Sequence, residues 1–175
     1  MNIKIGILLF LSGLLIQELP KNIRKKVKKE IISTYSIESF DMKMLSFSDE
    51  VCSQLPASFK DQNLFEIYSG DIHNGFGYVG KAPSRDDHFD YLILFDNDFV
   101  ILKSKILIYR EDYGGEIGSK RWLKQFTGRT KNDHLKLNED IVAISGATIS
   151  VRSMTLAVDN VLRSLEILYD KGLLK

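Results

Sequence analysis

Four strand-like runs lie from roughly Phe65 to Ile108: LFEIYSG, GFGYVGKA, FDYLILFD and FVILKSKILIY. Each is rich in aromatic and branched residues, which suit a pleated, half-buried surface. The breaks between them carry turn chemistry: Gly70 and Asp71, then PSRD at 83–86, then Asp96, Asn97 and Asp98. A parallel crossover needs about a dozen residues or more. These connections are too short for one, so the runs must form an antiparallel meander.

Helical patterns flank the strands. In ELPKNIRKKVKKEIISTY, Leu19, Ile23, Val27 and Ile31 recur every four residues, Pro20 suits a first turn, and lysines take the other faces. That basic face suits either a solvated helix packed on a sheet or a membrane surface. Near the C-terminus Met154, Val158, Val161, Leu165 and Leu168 form one stripe, and Gly172 suits the helix end. Residues 119–126 suit a short helix after a glycine-rich bend. The expected fold is α+β: a single domain with an antiparallel twisted sheet and flanking N- and C-terminal helices. Its expected division is 1–17 as a signal peptide or short membrane anchor, 18–64 as an N-terminal helical segment and 65–175 as the functional domain.

With 44% hydrophobic and 27% charged residues, the chain has enough apolar material for a core, and disorder is excluded over most of its length. A net charge of +1 gives no indication of nucleic-acid binding. The single cysteine, Cys52, excludes an internal disulfide and suits a small buried hydrophobe. His73, His88 and His134 lack the spacing of a helical metal pair, so no metal site is expected. Residues 5–16 form an apolar run behind Lys4, shorter than the roughly 20 residues that span a bilayer and of a length that suits a secretory signal. Six basic residues crowd downstream and no A-x-A cleavage site follows, so a retained anchor is the other reading. Both place the domain outside the cytoplasm, in the periplasm or on the outer face of the membrane.

The stretch that carries chemistry is ISGATIS at 144–150. Small residues precede a threonine at the mouth of the last helix, where unpaired N–H groups and the positive end of the helix dipole favour a phosphate. Gly146 and Ala147 let a bulky anion approach the backbone, and Thr148, Ser150 and Ser153 offer hydroxyls. The same residues also suit a plain helix cap by Ser145 or Thr148.

SGAT at the start of a helix resembles the flavinylation motif of the FMN-binding domain family, to which the C subunit of the sodium-translocating NADH:quinone oxidoreductase and the G subunit of the Rnf complex belong. The resemblance implies that Ser145, Gly146, Ala147 and Thr148 hold FMN, with Thr148 joined to its phosphate as a phosphoester by a dedicated flavin transferase outside the cytoplasm. A second stretch, EDYGGEIG at 111–118, is similar to the family's glutamate-then-glycine loop. This implies that Glu111, Gly114, Gly115 and Gly118 lie against the flavin ring. WLKQF at 122–126 and GFGYV at 75–79 match further family segments, so the resemblance covers about residues 65–168. One position departs: the family carries an acid three residues before the serine of SGAT, where this chain has Val142. Tyr113 and Trp122 are candidates to stack on the ring, although each also suits the core.

The resemblance implies a redox carrier more than a stand-alone enzyme, taking electrons from a membrane redox protein and passing them to a partner or a soluble acceptor. No general-base constellation stands beside Thr148, so no catalytic residue is assigned. GFGYVG lacks the strand–GxGxxG–helix context of a nicotinamide site. Two other readings remain, a reductase with non-covalent flavin and a flavin-free binding module. An open flavin edge favours the carrier, a deep pocket the reductase, and a filled ring site the binding module.

Overall fold

The computed structural model describes residues 19–60 and 63–174; the leader lies outside them. After helix α1 (Lys21–Tyr35) come strand β1 (Asp41–Met44), a one-turn helix α2 (Asp49–Cys52), and strands β2 (Leu64–Ser69), β3 (Ile72–Pro83), β4 (His88–Phe95) and β5 (Ile101–Ile108). A short helix α3 (Lys120–Leu123) and the long helix α4 (Thr148–Asp170) follow. The strands form one open sheet in chain order, every neighbouring pair antiparallel. This is the α+β meander that the short turns require.

The sheet is covered on both faces. On one face Ile23, Val27 and Ile31 of α1 pack on Phe65, Ile67, Val79, Leu92, Leu94 and Leu107. On the other, Met154, Val158, Val161, Leu165 and Leu168 of α4 are fully buried in the cluster that holds Phe76, Tyr78, Tyr91, Ile93 and Phe95. The double cover explains why β4 is apolar at successive positions. Its odd-numbered residues Phe89 to Phe95 face α4 while Leu92 and Leu94 face α1. Burying so many Phe, Leu and Ile side chains stabilises by about 2 kcal/mol each before entropy is counted.

Two end contacts fix the helices. The Tyr35 hydroxyl, at the end of α1, reaches the carbonyls of Phe95 at 2.5 Å and Phe76 at 3.2 Å. Burial pushes its pKa well up, so it stays a protonated donor. Helix α4 ends in a Schellman motif: Gly172 has φ +68° and donates to Tyr169 O at 2.9 Å, while Leu173 N–H donates to Leu168 O at 3.0 Å.

Residues 18–64 contribute a strand as well as helix, a difference from the expected helical segment. β1 pairs with the outer edge of β2 from Asp41↔Tyr68 to Met44↔Phe65. GFGYV falls in β3, the central strand. Cys52 is buried, as its isolation suggested. Residues 115–126 form α3 flanked by two 3-10 turns, Gly115–Gly118 and Lys124–Phe126.

Candidate functional site

Beyond β5 the chain must turn back across the end of the sheet, and Gly114 makes this possible. Its φ is +84°, and a Cβ there would lie 2.6 Å from the Tyr109 hydroxyl and 3.7 Å from Ala147 Cα. Any side chain would both strain the backbone and push into the Tyr109 hydroxyl, while lying in ordinary contact with the start of α4. The 3-10 turn that follows is anchored by fully buried Ile117. Gly146 has φ +86°, and a Cβ there would approach the Glu116 carboxyl at 3.9 Å. The glycine loop and SGAT, about thirty residues apart in sequence, therefore lie close together at two points.

The start of α4 is open. Ala147 occupies the cap position with no side-chain hydrogen bond, and the first helical bond runs from Val151 N–H to Ala147 O at 2.8 Å. Among the described residues, the N–H groups of Thr148, Ile149 and Ser150 have no acceptor. Helix starts in folded proteins usually satisfy such groups with a cap, water or a ligand. Neither Ser145 nor Thr148 serves as the cap; both are exposed, with free hydroxyls. Ile149 is bare beside them at 51% exposure. Ser150 is placed otherwise: it is buried, and its Oγ is hydrogen-bonded to the Tyr109 hydroxyl at 2.9 Å. It braces the glycine loop instead of facing outward with Thr148.

Glu111 turns toward the β3–β4 hairpin. Its Oε1 accepts from the N–H of Asp86 at 2.8 Å and Asp87 at 3.2 Å. The nearby Ser84 hydroxyl, with these amides, holds its carboxyl below the usual range. A Cβ added at Gly115 or Gly118 would meet nothing within 4 Å, so their surfaces are open to a ligand. Trp122 is a core residue: its indole N–H donates to Val142 O at 2.9 Å, and its ring meets Phe126 edge-on. Tyr113 is not a core residue, a correction to the alternative drawn for it above. At 86% exposure it stands out beside Gly114, because the left-handed glycine turns the loop away from the sheet there.

The segment leading into SGAT is held by a side chain acting like a neighbouring strand. Gln125 Oε1 accepts from Val142 N–H at 2.8 Å and its Nε2 donates to Val142 O at 3.3 Å. The Val142 side chain points away, 69% exposed. Beside it lies an open pocket of about 460 Å³, lined by Ser119, Arg121, Gln125 and residues 142–145, with Trp122, for all its burial, forming part of the wall. Tyr109, Glu116 and Gln125 were not among the residues singled out from sequence. Tyr109 and Gln125 act through cross-chain contacts that no local spacing encodes.

These features fit an FMN: helix-start N–H groups and a threonine hydroxyl without a partner among the described residues for its phosphate, and for its ring the open pocket that reaches Ser145, with the bare surfaces of Gly115 and Gly118 on the loop beside α4. Residues 87–163 match the family model described as the FMN-binding domain. No curated protein matches the chain. The matched stretch runs from the turn before β4 into α4 and includes both the glycine loop and Thr148. A flavin-binding redox role with FMN as cofactor follows.

Proposed function

We propose that this chain, whose residues 87–163 are an FMN-binding domain, is an extracytoplasmic electron carrier with FMN attached through a phosphoester to Thr148. Helix α4 holds the phosphate with its first N–H groups; Gly146 keeps the approach clear, Gly115 and Gly118 leave room for the ring, and Gly114 makes the left-handed turn that seats the loop against Tyr109. The bound isoalloxazine supplies the electron-accepting and electron-releasing chemistry. The protein's part is to orient it and tune it electrostatically, with Arg121 the cation on the pocket wall.

One observation carries this reading. Thr148 is an exposed first-turn residue of an uncapped helix, with neither its hydroxyl nor its N–H engaged by a described residue. A helix built only for stability would gain about 1 kcal/mol from a serine or aspartate at the cap, where this chain has alanine. The openness of the cleft favours a carrier, whose partners must reach the flavin edge, over a reductase with an enclosed substrate pocket. Maturation then requires a flavin transferase, and the physiological partners are a membrane redox protein and a second protein or soluble acceptor. The apolar run at residues 5–16 supports export and a place beside the membrane. Among the described residues no helix is long and apolar enough to cross a membrane.

Co-expression with a flavin transferase in an export-competent host tests the site. The protein is expected to stay yellow after denaturation, with a mass increase of FMN minus water, and Thr148→Ala is expected to lose that increase. A covalent flavin on the alanine variant would place the attachment elsewhere.

A further inference from the structure

A second cleft lies along the outer edge of the sheet, between α1, β5 and α3, with a volume of about 530 Å³. Three separate elements bring lysines to it: Lys29 from α1, Lys103 and Lys105 from β5, and Lys120 and Lys124 from α3 and the turn after it. Its one acid, Glu30, is engaged by Lys103 at 2.6 Å. Lys29, Lys105, Lys120 and Lys124 have no ion-pair partner among the described residues. The cleft therefore holds four uncompensated positive charges in a chain whose net charge is only +1.

Edge strands carry lysines to block pairing with other chains, which accounts for Lys103 and Lys105. It does not account for the convergence of Lys29, Lys120 and Lys124 on the same space. Nor does it account for Ser104, which also lines the cleft but whose side chain stands on the other face of β5 from the two strand lysines, the face of Ile93. Ser104 is 6% exposed, and its buried hydroxyl has no hydrogen-bond partner. A buried hydroxyl without a partner is costly unless a ligand or water supplies one. Like-charged lysines held close together are also unfavourable until an anion joins them.

We propose that this cleft binds a phosphate-bearing ligand of at least two negative charges, separate from the flavin phosphate at Thr148. Lysines serve phosphates as point charges on flexible stems, so four of them around one volume suit a compact polyanion. Ser104 offers its unpartnered hydroxyl from the wall opposite the two strand lysines. The cleft shares no lining residue with the pocket beside SGAT. The two assignments stand or fall separately, and Thr148→Ala is expected to leave this binding intact.

Calorimetric titration of the full chain with inorganic pyrophosphate at low salt tests the site. Saturable one-to-one binding is expected, weakened by roughly tenfold or more in the double variant Lys105→Gln/Lys124→Gln. Ser104→Ala is expected to weaken it several-fold while leaving the thermal midpoint of the ligand-free protein unchanged or raised, since it removes a buried hydroxyl that has no partner. Lys21→Gln/Lys25→Gln, on a part of α1 that does not line the cleft, is expected to leave it unchanged. Vesicles with and without cardiolipin, whose headgroup carries two phosphodiesters, separate the two sources of such a phosphate. Pyrophosphate-sensitive binding to the anionic vesicles assigns a lipid headgroup, and equal behaviour on both vesicle types assigns a soluble ligand. The proposal is overturned by the absence of saturable binding, by an equal effect of the Lys21/Lys25 pair, or by polyglutamate binding as tightly as pyrophosphate.

Discussion

Gly114→Ala tests the physical link between the glycine loop and the flavin-bearing helix. The left-handed backbone at φ +84° costs an alanine about 1–2 kcal/mol. The new Cβ would stand 2.6 Å from the Tyr109 hydroxyl, well inside contact distance, so the tyrosine must move. Moving it breaks the 2.9 Å bond to Ser150 and leaves a buried hydroxyl unpaired, a loss of about 1–3 kcal/mol. Alanine's smaller unfolded-state entropy returns roughly 0.5 kcal/mol. The expected loss is about 2–4 kcal/mol in urea unfolding, measured in a Thr148→Ala background so that no flavin contributes to stability. In a Tyr109→Phe background the clash disappears, because the next ring atom would lie at an ordinary 3.6 Å. There the same substitution is expected to cost only the backbone strain, about 1–2 kcal/mol. Gly115→Ala, with open space around it, is expected to change stability by less than about 0.5 kcal/mol. A Gly114→Ala variant within about 0.5 kcal/mol of its parent, or a Gly115→Ala variant that loses as much, would refute this link between the loop and the helix.

Three further perturbations probe the surroundings. Val142→Asp places the family's acid on a side chain that is already exposed, so unfolding free energy should stay within about 0.5 kcal/mol while the flavin-labelled fraction rises; an unchanged fraction by intact mass would make the departure harmless. Gln125→Ala removes both bonds to Val142 and is expected to cost about 1 kcal/mol and to lower the labelled fraction, whereas unaltered labelling would free residues 142–145 from any positioning role. Glu111 is held ionised by the Ser84 hydroxyl and the hairpin amides, so its contribution is full above the ordinary carboxyl pKa of about 4.3 and fades as pH falls through its lower folded value. Thermal midpoints of Glu111→Gln should therefore depend less on pH below about 4.3 than those of the parent, and parallel curves would refute the role.

Much of the architecture was legible because periodicity reports burial directly. Ile23, Val27 and Ile31, and the stripe from Met154 to Leu168, recur at helical spacing and are the buried faces. The β2–β5 runs were visible because branched and aromatic residues crowd between turn residues. β1 was not, since DMKM is four residues long, half exposed and without a branched residue. Within the site, the resemblance named SGAT and the glycine loop as two parts of one site, and the structure brings them close together. Ser150 and Glu111 were placed with the ligand by their position in a motif, while their actual neighbours, Tyr109 and the 84–87 turn, come from distant parts of the chain. Tyr113 could not be assigned in or out from sequence, because its exposure depends on the left-handed turn at Gly114.

The central claim is a covalent bond at one hydroxyl. Protein purified from its own cell envelope and digested with trypsin yields a peptide covering residues 137–152, bounded by Lys136 and Arg152. That peptide should absorb as a flavin and fragment to an FMN adduct on Thr148. A colourless peptide of unmodified mass, from protein that is otherwise intact, would contradict the account.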